Sequence, residues 1–264
     1  MKTLVINLER ETSRLAHMRR VFGEQGLDFE VVTAVDASLL SPAELDNGRT
    51  GVPRFYELGA GEIACFLSHR KCWEIVAQSE DDYTVICEDD IFLGENAGAV
   101  FSDYGWIPAN AGIVRLEACR PKLLVGTKGL PIASGRKLVE LHEARAGAAA
   151  YILHRDLAGF LLEKTARFCD PVDQLLFNDS AFLRRGAHFY QVVPAIAIQE
   201  CSLPKNQHGS LGSALQGERR MKRRVGLKKL YREVVRPFEQ AVEAVVDMKD
   251  RFFSDRRWVR VPFR

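Results

Sequence analysis

The sequence predicts an α/β sandwich organised on a mainly parallel sheet. Short aliphatic and β-branched runs alternate along the chain with segments whose apolar residues recur every three or four positions. That alternation buries a sheet between helical layers. The composition agrees: of 264 residues, 47% are hydrophobic and 27% charged, the balance of an ordinary water-soluble domain. The length suits one large domain, or one domain with an appendage.

In chain order, residues 2–8 read as a strand. Thr12 caps a helix carrying Leu15, Met18 and Phe22, which Gly26 ends. Residues 29–34 read as a second strand and 41–46 as a short helix, followed by a loop rich in Gly, Asn and Pro. The clearest helix is 62–78, where Ile63, Phe66, Leu67, Trp73 and Val76 line one broad side. Residues 83–87 form a buried strand that runs straight into Glu88, Asp89 and Asp90. Further strands are expected at 112–116, 138–141, 148–153 and 189–193, and further helices at 156–166 and 172–183. Residues 206–216 read as a loop or hinge. The division is a body at 1–204 and a tail at 205–264.

Charge separates the two parts. The tail holds 16 Lys and Arg against 7 Asp and Glu, a net +9, which leaves the body at −7. Leu227, Leu230, Tyr231, Val234 and Phe238 recur at helical spacing beside Lys228, Lys229, Arg232 and Arg236, and Pro237 should kink or restart that helix. A basic amphipathic helix suits an anionic membrane surface, and Phe252, Phe253, Trp258 and Phe263 add apolar groups beyond it. Packing on the body with a solvated basic face is the plain alternative. Nucleic acid is disfavoured because the acidic body opposes it. No run approaches the ~18 uncharged apolar residues of a spanning helix, and no export signal is visible, so a cytoplasmic start is expected. The six cysteines then read as reduced thiols.

Ligands of such sheets sit at the carboxyl ends of strands. Glu88, Asp89 and Asp90 stand there. Three adjacent carboxylates repel one another and suit a hard divalent cation, Mg²⁺ or Mn²⁺, able to neutralise a departing diphosphate. A solvated acidic turn is the equal alternative. The stretch from Gly59 to Ala64 fits G-x-G-x-x-A on paper, but Pro53, Arg54 and Glu57 make a poor preceding strand, so a tight entry into the helix is the better reading. Cys65, His69 and Cys72 share one helix face. Without C-x-x-C spacing they read as core thiols rather than a zinc site, and His69, beside Ser68, as a polar group lining a pocket. Asp170 caps a helix that Pro171 opens, which leaves Asp173 in the first turn freer to act as a base. His208 lies in a polar loop and reads as a surface histidine or a metal or phosphate contact.

Taken in order, these segments resemble bacterial glycosyltransferase family 25, the lipopolysaccharide and lipooligosaccharide biosynthesis enzymes. The resembling pieces are Val5-Ile6-Asn7-Leu8-Glu9-Arg10 with Arg14, Gly61-Glu62-Ile63-Ala64-Cys65 leading to Ser68-His69, Trp73, Glu88-Asp89-Asp90, Gly147-Ala148-Ala149-Ala150-Tyr151, and Pro171-Val172-Asp173. They span about residues 2–204. The resemblance implies a GT-A-like nucleotide-sugar fold, a UDP-sugar donor with galactose as the first candidate, Mn²⁺ or Mg²⁺, and inversion at the anomeric carbon. It implies that Asn7, Glu9, Arg10 and Arg14 cradle the uridine diphosphate. Glu62, Ser68, His69 and Glu88 would also face substrate. Asp90 and Asp89 would hold the metal, with His208 as an extrapolated third ligand, and Asp173 would be the base, ahead of Asp179. The acceptor would be a lipid-linked oligosaccharide, which places the protein on the inner face of the cell membrane. Two alternatives remain: a dinucleotide-dependent oxidoreductase, and a non-enzymatic adaptor for membranes or polyanions.

Overall fold

The computed structural model describes residues 1–53, 55–144, 147–177, 187–204, 211 and 255–264. Its strands are β1 (Lys2–Asn7), β2 (Glu30–Thr33), β3 (Tyr83–Glu88), β4 (Ile91–Leu93), β5 (Ala111–Arg115), β6 (Glu117–Ala118), β7 (Leu123–Ile132), β8 (Arg136–Ala144), β9 (Ala150–His154), β10 (His188–Val193), β11 (Ala197–Gln199) and β12 (Arg256–Val259). The helices are α1 (Thr12–Gly23), α2 (Pro42–Asn47), α3 (Ala60–Ala77), α4 (Ala97–Phe101), α5 (Arg155–Lys164) and α6 (Val172–Phe177).

The large sheet has nine strands in the order β12-β7-β8-β10-β5-β9-β3-β1-β2. Strands β1, β2, β3, β5, β7 and β10 share one direction, while β8, β9 and β12 oppose it. The sheet is thus mixed: the expected parallel pairing holds for β2-β1-β3 and β5-β10, and the other five pairings are antiparallel. The physical reason is local. Strand β9 inserts between β3 and β5, and β7 and β8 are hairpin partners, which need only a short connection. A run of apolar residues does not encode strand direction.

Period-two alternation divides the core between the two faces. Strand β1 sends Leu4 and Ile6 into one cluster with Phe66, Trp73 and Leu161 of α3 and α5, and Val5 into the other with Met18 and Phe22 of α1. Helix α3 starts at Gly59, where the Glu62 carboxylate accepts from the Gly59 N–H at 2.9 Å. The described residues immediately before it, 48–53 and 55–58, form no strand. The dinucleotide fingerprint therefore lacks the strand-to-helix turn that gives it meaning.

A second sheet, β4-β11-β6, places the site. Strands β3, β5 and β10 each break at the carboxyl end and continue into it as β4, β6 and β11. The breaks after β3 and β5 and the end of β11 bring Glu88–Asp90, Arg115–Glu117 and Gln199–Glu200 together.

The end of the chain departs from the expected tail. Strand β12 pairs antiparallel with β7, Val261 is buried, and Phe263 bridges to Ala195. Trp258 and Phe263 therefore lie on the body rather than beyond it. Their segment alternates with period two, and β7 offers a free edge. The rest of the amphipathic stretch, His208 and Asp179 lie outside the described residues. Among the described residues, no helix is long and apolar enough to cross a membrane.

Candidate active site

β3 ends at Glu88 and the chain turns at Asp89 and Asp90, and the Asp89 side chain takes partners different from those of its two neighbours. The Asp89 carboxylate takes the Arg14 guanidinium at 2.5 Å and the Asn7 amide at 2.8 Å. Asn7 ends β1 and Arg14 lies in the first turn of α1, so this cluster ties together the first strand–helix unit and the acidic motif. Arg14 also donates to the Leu211 carbonyl at 3.0 Å. Burial opposes the Arg14 charge, but Asp89 and Asp90 hold the guanidinium above its ordinary pKa.

Glu88 and Asp90 face the other way. The Gln199 amide donates to both, at 2.8 Å to Glu88 and 3.2 Å to Asp90. Asp90 is 7% exposed, and burial, reinforced by the Glu88 charge, pushes its carboxyl up to about 7. Two carboxylates bridged by one neutral amide, one of them resisting ionisation, fit a hard divalent cation. Glu88 and Asp90 are the pair that would hold it. Asp89, expected to share that task, is instead engaged by Arg14 and Asn7.

The second Glu88 oxygen faces α3. His69 Nε2 lies 3.5 Å away and Cys65 Sγ 4.0 Å away. The three ligand atoms fall within 4.8 Å of one another, a set that could suit a soft metal. Hydrogen-bond accounting favours another explanation. Trp73 Nε1–H can only donate, and it donates to the Tyr151 hydroxyl oxygen at 2.8 Å. The Tyr151 proton then goes to His69 Nδ1, 3.0 Å away, leaving Nε2–H to face Glu88. His69 is fully buried, and burial lowers its pKa to about 4, so the ring is neutral. Cys72, the third member of the expected helix face, is buried in the core, and burial pushes its thiol up.

The remaining expected residues divide. Asp173, in the first turn of α6, is held by two backbone N–H groups: Oδ2 accepts from the Gly147 N–H at 3.1 Å and Oδ1 from the Gln174 N–H at 2.8 Å. Glu62 and Ser68 serve α3 itself. Ser68 donates to the Ala64 carbonyl at 2.7 Å and accepts from the Val35 N–H at 2.8 Å, which fastens α3 to the segment after β2. Arg10 pairs with Asp36, and Glu9 is exposed. Sequence reasoning missed Arg115, Glu117 and Gln199. A signal existed for the first two: charges two apart in an otherwise apolar strand share one face of a buried sheet.

Comparison with known proteins gives a consistent result. A family model described as Glycosyltransferase family 25 (LPS biosynthesis protein) matches residues 1–176. The lacto-N-neotetraose biosynthesis glycosyltransferase LgtB of Neisseria meningitidis serogroup B is 32% identical over 238 residues, covering 85% of each chain. The lipooligosaccharide biosynthesis protein lic2B of Haemophilus influenzae is 29% identical over 227 residues, covering 81% of this chain and 82% of that protein. Among solved structures, a glycosyltransferase involved in glycosylation of the major capsid of PBCV-1 aligns with a TM-score of 0.39 at 11% identity, over 78% of this chain and 95% of that one.

Proposed function

That the chain belongs to glycosyltransferase family 25 is the premise from which we propose its reaction: metal-assisted, inverting transfer of a sugar from a UDP-sugar to a lipopolysaccharide or lipooligosaccharide core acceptor. UDP-galactose is the first donor to test. The observation that carries the reading is the meeting of three strand exits, which places Asn7, Arg14 and Asp89 beside Glu88, Asp90 and Gln199.

Each residue then has a task. Asn7 and Arg14 flank the uridine end, with the Arg14 guanidinium suited to a phosphate oxygen. Glu88 and Asp90 would hold Mn²⁺ or Mg²⁺, with His208 the further ligand to test. When bound, the ion supplies positive charge against the departing diphosphate. Asp173 comes from a different element, as inversion requires. It takes the proton of the acceptor hydroxyl while that oxygen bonds to the anomeric carbon, and the bond to the diphosphate breaks on the opposite face. The Asp173 oxygens are held by two backbone N–H groups, which aims the carboxylate without occupying all its acceptor capacity.

The basic stretch within 205–254 would hold the enzyme at an anionic inner membrane surface, where a lipid-linked acceptor resides. The oxidoreductase reading loses its support with the missing strand before Gly59.

A thermal-shift screen tests the donor and the metal. UDP, UDP-galactose, UDP-glucose, UDP-N-acetylglucosamine, NAD and ADP are each added with and without Mn²⁺. A ligand at about 100 times its Kd adds roughly 2.7 kcal/mol. Stabilisation by UDP species that needs Mn²⁺ is expected. Stabilisation by NAD alone, or by no nucleotide at all, would overturn the proposal.

A further inference from the structure

Behind Asp173 lies an ion pair that takes no part in the reaction as described above. Arg115 ends β5 and Glu117 begins β6, and their side chains are 0% and 2% exposed. Arg115 Nη2 sits 3.2 Å from Glu117 Oε1. A charged pair this deep is weak support for stability, because an apolar pair of the same volume often serves as well. What the pair does hold is backbone. Arg115 Nε donates to the Gly147 carbonyl at 3.4 Å, and Glu117 Oε1 accepts from the Ala149 N–H at 3.0 Å. Gln191, itself buried, accepts from Arg115 Nη1 at 3.2 Å and fixes the guanidinium from behind. The same guanidinium lies 5.5 Å from the ring centre of Phe177, at the far end of the helix that carries Asp173.

Gly147 is the joint between the pair and the carboxylate. Its φ is +90°, a backbone conformation that L side chains rarely adopt. A Cβ there would stand 2.6 Å from both Arg115 Nη2 and Glu117 Oε1. The turn so formed points the Gly147 N–H at Asp173 Oδ2, 3.1 Å away.

We infer that Arg115 and Glu117 are positioning residues for Asp173, acting through the Gly147 turn and the Phe177 end of α6. The inference rests on the assignment of Asp173 as base. The pair sets where the carboxylate stands relative to the acceptor oxygen and leaves donor binding, on the Asp90 side, unchanged.

The experiment compares Gly147→Ala, Arg115→Lys and the apolar double variant Arg115→Met/Glu117→Leu with the unaltered full-length chain. UDP release from UDP-galactose is followed with de-acylated lipooligosaccharide core as acceptor, and Mn²⁺-dependent thermal shift by UDP reports donor binding. Misplacing a catalytic group by about 1 Å costs on the order of a hundredfold. The expected result is a fall in kcat of about that size for Gly147→Ala and the double variant, with donor KM and the UDP-induced shift unchanged, and a smaller fall for Arg115→Lys. If Gly147→Ala does not fold, the double variant carries the test, since apolar replacement of a buried pair preserves folding in comparable cases. Folded variants that keep kcat, or lose donor KM and kcat together, would overturn the inference. Asp173→Asn separates the two levels. Retained turnover there removes the base assignment and the inference with it. Lost turnover there, with unaffected pair variants, removes the inference alone.

Discussion

The exit of β1 and the middle of the sheet handle buried carboxylates in opposite ways. At the β1 exit, Asp89 meets a cation of the protein's own: Arg14 at 2.5 Å, with Asn7 completing the shell. In the middle, Glu88 and Asp90 share a neutral amide from Gln199, and the Asp90 carboxyl is pushed up to about 7. The adjacent residues Asp89 and Asp90 thus have contrasting environments, because the turn that follows β3 delivers them to different partners. Where the fold brings a guanidinium into direct contact, the carboxylate is ion-paired; where direct contact is with a neutral amide, burial raises the carboxyl. A continuous acidic triplet in the sequence conceals that division of labour.

The largest test of the contrast is Asp90→Asn. Turnover should fall by about a hundred- to a thousandfold, and the Mn²⁺-dependent stabilisation by UDP should vanish. The metal-free protein should melt no lower than the parent, because a reluctant buried charge has been removed. A UDP shift that survives in Asp90→Asn would place the cation elsewhere and end the comparison.

On the β1 side the effect should appear in stability as well as in donor binding. Arg14→Met leaves Asp89 buried without its cation and should lower the unfolding free energy by about 3 kcal/mol. Urea titration of that variant and of Arg14→Met/Asp89→Leu gives the contrast: the double variant should regain most of the loss. Equal loss in both would mean that packing, not charge, dominates there. Away from both regions, Val261→Ala should cost about 2 kcal/mol through two lost buried methyl groups, with donor binding intact. An unaltered melting temperature would show that the end of the chain is not part of the sheet.

The pH dependence sharpens the comparison further. Asp90 and Glu117 both have folded pKa values raised to about 7, chiefly by burial. Their folded forms hold protons more tightly than the unfolded chain, so their contribution to stability is present at low pH and is lost as pH rises through 7. His69, lowered to about 4, acts in the opposite sense and loses stability as pH falls below its ordinary 6.5. Two raised carboxyls outweigh one lowered histidine, so the metal-free protein should lose stability as pH rises from about 4 to about 7 and change little from there to about pH 8. Calorimetry from about pH 4 to 8 should show a flatter decline in Asp90→Asn; an unchanged slope would count against a reluctant Asp90. The smallest effect is reserved for Arg20→Ala, which removes an exposed i,i+4 pair with Glu24 and should shift stability by no more than about 0.5 kcal/mol.

Much of the fold was legible because its signals are local. Periodicity located β1, β2, β3, α1, α3 and α5 to within a few residues, and the acidic motif stood where a strand ended. The mixed pairing was not legible, since direction depends on which strands become neighbours. Strands β4, β6 and β11 are two or three residues long, too short for any period to register. Of the residues singled out from the sequence, Asn7 and Arg14 meet Asp89, Glu88 and Asp90 meet Gln199, and Asp173 meets the Gly147 turn, because each ends or follows a strand or opens a helix. Glu62 caps the start of α3, and Ser68 ties that helix to Val35. Gln199 was invisible: a glutamine two residues from a cysteine carries no chemistry until β11 sets it between two carboxylates.

The return of the chain to β7 has a consequence for the basic stretch between the last described residues of the body and β12. Leu211 is fastened by Arg14 at one end, and Asp255 accepts from the Thr127 N–H at the other. Whatever engages that stretch therefore grips the enzyme by a closed handle and not by a leash. A leash lets a body tumble freely above the surface it is tied to. A handle constrains its attitude, so the mouth of the site would meet the surface from a restricted set of directions. Removing the handle calls for excision with its two ends rejoined, because simple truncation would take β12 away with it.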